Sequence, residues 1–162
     1  MRLIAMLAAA ALLAPHAASA ADFRILDASG ASTNVVDLSA IQDTGSGAKS
    51  FFFYRATDKA KLIFRSTDKY FLYAAFKYTF DCSNKKVRID YITLYDDKFS
   101  VISQFDAGGR WLDPDPATPP TSEFGLYCSP APGRSAKGVK IRTDDWQAAL
   151  QIAHERLLNG VK

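Results

Sequence analysis

The chain has 162 residues, 48% apolar and 12% aromatic, with a formal net charge of +3. This length suits a short leader and one domain able to bury its own core. The charge is mild and its Lys and Arg are interleaved with Asp and Glu, which excludes the concentrated basic stripe a nucleic-acid partner requires.

The first 20 residues read as a signal peptide. Arg2 supplies the positive start, residues 3–14 an unbroken apolar run, and Pro15 ends it before the small-x-small site Ala18-Ser19-Ala20. Cleavage is predicted after Ala20, which makes the protein periplasmic or secreted. No later stretch reaches the roughly 18 apolar residues of a membrane helix, so no membrane span is expected in the mature chain. No cysteine lies near the cut for lipid attachment.

Residues 21–128 read as a sheet domain. Residues 23–28 and 33–36 form a strand pair about the turn Asp27-Ala28-Ser29-Gly30, and residues 43–47 make another turn. Residues 50–56 place Phe51, Phe53 and Arg55 on one face and Phe52 and Tyr54 on the other, a strand buried on much of both faces. Residues 58–69 are a polar interruption around Leu62-Ile63-Phe64, read as a long hairpin loop or a short extra strand pair. Alternation then runs through residues 70–81 as one long strand. It returns through Val87, Ile89, Tyr91, Thr93 and Tyr95, and after Asp96-Asp97-Lys98 it enters residues 99–105 as the third strand of a meander.

Beyond Gly108-Gly109, Pro114, Pro116, Pro119 and Pro120 exclude helix interior and central strand, leaving an ordered arm. Thr121-Ser122-Glu123 is expected to cap a short helix ending near Cys128. Residues 129–142 read as a linker, and residues 143–160 as a C-terminal helix capped by Thr143 and stopped by Gly160. Its face of Trp146, Ala149, Leu150, Ala153 and Leu157 should dock on the sheet, with Gln147, Gln151, His154 and Glu155 turned outward. The fold class is therefore α+β: an antiparallel β-sheet meander with a C-terminal α-helix packed on it and one disulfide.

That disulfide joins Cys82 and Cys128, the only two cysteines, because an even pair in an oxidising compartment reads as a staple and the Cys-x-x-Cys spacing of a redox site is absent. The catalytic inventory is thin. His16 leaves with the leader, and His154 sits among the polar positions of a helix with no orienting carboxylate and nucleophile in a recognised setting. Asp113-Pro114-Asp115 lacks the oxygen spacing and turning glycine of a calcium loop, and Asp96-Asp97 is explained by turn chemistry. No catalytic residue, metal site or cofactor is expected.

Phe80-Asp81-Cys82-Ser83-Asn84-Lys85-Lys86, then Arg88-Ile89, Tyr95-Asp96, Ser103, Trp111 and Pro120-Thr121-Ser122 before Cys128, resemble the surface-adhesin protein E family of exported bacterial proteins. The segment 23–41, ending in Asp37-Leu38-Ser39-Ala40-Ile41, is also similar, so the resemblance covers about two thirds of the chain. It implies a small antiparallel sheet with helix support and a disulfide, in an envelope protein of Gram-negative bacteria. The family's best-known member is a lipoprotein adhesin that binds host laminin, vitronectin and plasminogen. This sequence departs from it by lacking the lipid-acceptor cysteine, by its longer loop at 58–69 and by the tail after Ser129.

The expected function is that of an exported, non-enzymatic binding module for a protein or extracellular-matrix partner. It would use exposed sheet aromatics and the basic tail residues Arg134, Lys137, Lys140 and the terminal Lys162. The alternative is a periplasmic enzyme or enzyme inhibitor with an unrecognised site.

Overall fold

A computed structural model describes residues 20–29, 31–57, 62–64, 69–117, 120–130 and 137–160. Strands β1 (Phe23–Ser29), β2 (Ser32–Asp37), β3 (Gln42–Asp43), β4 (Ala48–Thr57), β7 (Tyr73–Asp81), β8 (Lys86–Tyr95), β9 (Val101–Asp106) and β10 (Val139–Ile141) build one eight-stranded antiparallel sheet. Its order is β10-β1-β2-β4-β7-β8-β9, and β3 also pairs with β4. A separate two-stranded sheet pairs β5 (Leu62–Phe64) with β6 (Lys69–Phe71). Two helices complete the described chain, α1 (Phe124–Cys128) and α2 (Trp146–Leu158).

Consecutive strand residues point to opposite faces, and β2 shows how this sheet uses both. Val35 packs with Ala56, Tyr73, Ala149, Leu150 and Ala153 under α2, whereas its neighbour Val36 packs with Phe51, Phe53 and Phe80 under α1. The sheet therefore separates two cores. The α2 core is completed by a cage of rings: Trp146 lies 5.3 Å from Tyr54 and 5.5 Å from Phe99, and Phe99 stacks on Tyr73 at 4.3 Å. The α1 core is rich in rings set among Val36, Leu38, Val87 and Leu126, with Tyr127 stacked on Phe51 at 4.2 Å.

The meander, the C-terminal helix and its docking on the sheet are as the alternation and helical spacing require. Several details differ. The segment 70–81 is not one strand: at Leu72 the backbone turns its N–H to Tyr95 O and its carbonyl to Thr57 N. β6 then leaves the main sheet to pair with β5, a break that alternation cannot register because both halves keep the same period. The third meander strand begins at Val101, since Phe99 adopts φ 61° and folds back onto the cage.

The segment 129–142, read as a linker, contains β10, which adds Val139, Lys140 and Ile141 to the β1 edge. Gly138 makes that addition possible. Its φ of +79° and its approach to β1 leave no room for a Cβ, which would lie 2.5 Å from Ile25 O.

Helix α2 starts two residues later than its Thr143 cap would put it. Asp145 is the cap, its carboxylate accepting from Gln147 N at 2.9 Å, while Thr143 Oγ1 accepts from Asp145 N. At the α1 entry the Ser/Thr cap is absent; Pro120 precedes a 3-10 turn over Thr121–Glu123, and Thr121 Oγ1 donates to Asp115 O instead.

Leu150 is fully buried in the α2 core, whereas Trp146 is only half-buried. Leu150→Ala is expected to cost about 2–5 kcal/mol in a denaturant melt, and Trp146→Ala less than the roughly 3–5 kcal/mol of a fully enclosed ring.

Candidate functional site

At one end of the sheet the turn after β7 and the end of α1 are joined by the Cys82–Cys128 disulfide, with Cα atoms 5.5 Å apart. The turn itself is fixed by Asp81, whose carboxylate accepts from Ser83 N, Asn84 N and Asn84 Nδ2. The Asn84 hydrogen bonds, side chain first, hold this carboxyl below the usual range. Asp96 is held low in the same way, chiefly by Ser100 N, so Asp96-Asp97 belongs to a turn as its sequence suggests.

From this stapled end the proline arm crosses the edge of β8. Ala107 N donates to Asp90 O, and Leu112 exchanges two backbone hydrogen bonds with Val87, at 2.8 and 3.0 Å. Lys86 Nζ then holds Asp113 Oδ1 at 2.6 Å. The arm encloses a cleft of about 170 Å³ against β8. Tyr78, Val87, Ile89 and Leu112 give the cleft an apolar character, and Asp113, Asp115 and Thr121 line it from the arm.

Among the described residues, the sheet face that carries α2 leaves Phe52, beyond Tyr54, exposed. Strand register sets Phe52 beside Lys77, Lys77 beside Tyr91, and Tyr91 beside Asp106, one row across four strands. Phe52 is 42% exposed and Trp111 40% exposed. Next to this row, Thr79 Oγ1 donates to Asp90 at 2.6 Å, Asp90 pairs with Arg88 at 2.7 Å, and the Arg88 guanidinium lies 4.7 Å from the centre of the Trp111 ring. The platform is thus rigid: backbone ladders fix its strands, and an ion pair with a cation–π contact fixes Trp111.

Of the basic candidates, Lys137 pairs with Glu123 at 2.8 Å and Lys140 lies 3.5 Å from Asp22, which also holds Arg24. Each of these lysines therefore has a carboxylate partner. Arg134 and Lys162 lie outside the described residues. His154 is not turned to solvent; its ring packs edge-on against Tyr73 at 5.8 Å. Among the described residues no group of three His, Cys, Asp or Glu is placed to hold a metal ion, and no helix is long and apolar enough to cross a membrane.

The sequence reading missed the Arg88–Trp111 pair, because nothing in their spacing reveals that the arm lays residue 111 across the edge of β8. The exposure of Phe52 was half visible, since it shares the face of Tyr54 by parity, but only the position of α2 decides which of the two is covered.

Burial raises the phenols of Tyr54 and Tyr78 to about 12. Each contributes stability fully present below the unfolded value near 10 and lost as pH rises through the folded one. Ultraviolet titration is expected to show a tyrosine class ionising near pH 12 together with loss of near-ultraviolet dichroism, not a single class near 10.

No family model, curated protein or solved structure matches the chain.

Proposed function

We propose that the protein is an exported, non-enzymatic binding module, similar in role to the surface-adhesin protein E family, that engages a protein or matrix partner through the sheet surface around Phe52 and Trp111. The observation that supports this is the row Phe52, Lys77, Tyr91 and Asp106 with Trp111 beside it. The exposed rings of Phe52 and Trp111 sit there near charges of both signs, on and beside hydrogen-bonded strands. Aromatic anchors on rigid scaffolds carry most of the energy in protein interfaces, because a ring buries large area while losing little side-chain entropy. The local pairing of Lys137 with Glu123 and of Lys140 with Asp22 shifts the expected contact from the tail to the sheet.

The test is binding of the purified protein to immobilised laminin, vitronectin and plasminogen, with Phe52→Ala/Trp111→Ala as the variant. Substitutions at exposed positions leave stability within about 0.5 kcal/mol, whereas loss of interface anchors lowers affinity roughly tenfold or more. Binding that survives the double substitution unchanged places the contact elsewhere, and no binding to any matrix protein removes the adhesin reading.

A further inference from the structure

The geometry points to a second recognition element, the outer edge of β9, which takes an extended basic segment of a partner polypeptide as a further antiparallel strand. The two edges of the sheet are finished differently. β10 is only three residues long and carries Lys140, two features that guard an edge against pairing. β9 is six residues, Val-Ile-Ser-Gln-Phe-Asp, with no Lys or Pro, and its one register shift lies at its start, opposite Leu94 and Tyr95. Residues 103–106 are therefore a regular edge strand without those safeguards.

Alternation decides which of its groups face out. Ala107 N donates to Asp90 O in the register that pairs Phe105 with Ile92 and Ser103 with Leu94, so these residues turn their backbone groups to β8. Gln104 and Asp106 turn theirs away, and among the described residues no strand lies on that side to bond them. An incoming antiparallel strand exchanges a pair of hydrogen bonds with each of the two, which supplies affinity from the main chain alone. Specificity comes from charge. The Asp106 carboxylate is exposed and accepts from Gly108 N at 2.7 Å, with no Lys or Arg paired to it among the described residues. Opposite charges across a strand pair attract and like charges repel, so Arg or Lys is selected opposite Asp106 and Asp or Glu is opposed. The next partner residue falls opposite Phe105 on the other face, where a β-branched side chain packs well against a ring. Val101, 58% exposed at the head of the strand, extends the apolar contact.

The experiment titrates the purified protein with acetyl-Arg-Val-Thr-Val-Thr amide under nuclear magnetic resonance, Arg falling opposite Asp106 and the first Thr opposite Gln104. Saturable shifts and new hydrogen-exchange protection are expected at the Gln104 and Asp106 amides, with a dissociation constant in the millimolar range. Ser103 and Phe105, already bonded to β8, should gain little protection. Methylating the backbone nitrogen of the first Thr removes a donor from the new ladder and should weaken binding about fivefold or more. Methylating the first Val, whose N–H faces away from β9, should not. Replacing Arg by Glu should weaken binding about threefold or more, and Asp106→Asn should abolish that difference. No saturation at Gln104 and Asp106, equal losses from the two methylations, or an Arg preference that survives Asp106→Asn would overturn the assignment. Phe52 and Trp111 take no part, so Phe52→Ala/Trp111→Ala leaves this binding unchanged whether or not those rings engage a matrix protein.

Discussion

Cys82→Ser is expected to lower the melting temperature by roughly 10–15 °C and to expose the chain between β9 and α1 to protease. The staple spans 46 positions, and in the chain-entropy treatment closing a loop of that length restricts the unfolded ensemble by about 4 kcal/mol. What the bond retains in the folded state matters as much. Helix α1 has only five residues, too few to be stable alone, and it enters without a side-chain cap. It stays in place because Cys128 is tied to Cys82 and because Leu126 and Tyr127 are sunk into the aromatic core. Reduction should therefore loosen α1 first and the arm that leads into it next, while the β4-β7-β8 ladder persists. Hydrogen exchange with and without reductant checks this. Equal protection of Leu126 and Tyr127 amides in the two states would show that burial alone anchors the helix.

The strands were legible where alternation and turn residues coincide, as in β8, where Val87, Ile89, Tyr91, Thr93 and Tyr95 repeat at period two between Asn84 and Asp96. Even there the ladder shifts register between Lys77 and Tyr78 of β7, a bulge that hydrophobic pattern does not encode. The short strand β10 was invisible because its existence depends on a partner far away in sequence. β10 forms only because the edge of β1 accepts it and Gly138 permits the approach. The residues of the candidate surface were visible as aromatics but not as a site. Exposure is a property of the assembled layers, and parity assigns a residue to a face without saying what covers that face. The cleft was the least legible feature, since its walls come from β7, β8 and an arm whose path is set by one bridge between Val87 and Leu112.

Tyr127 is expected to give opposite results with two substitutions. Its ring is fully enclosed between Phe51 and Phe80, at 4.2 and 5.2 Å, and Tyr127→Ala would leave a cavity in the α1 core worth about 3–5 kcal/mol. Its hydroxyl, by contrast, is buried with no hydrogen-bond partner among the described residues. Burial, reinforced by the nearby Glu123 charge, pushes that phenol well above its ordinary value. An unpaired buried hydroxyl has given up its hydration without a replacement bond, at a cost of about 1–3 kcal/mol. Tyr127→Phe removes the hydroxyl and keeps the ring, so it should raise stability by about 1 kcal/mol, since a small void takes the oxygen's place. Urea melts of the three proteins decide the matter. A destabilised Phe variant would mean that the hydroxyl makes a favourable bond in solution, and an Ala variant close to wild type would mean that α1 does not close this core.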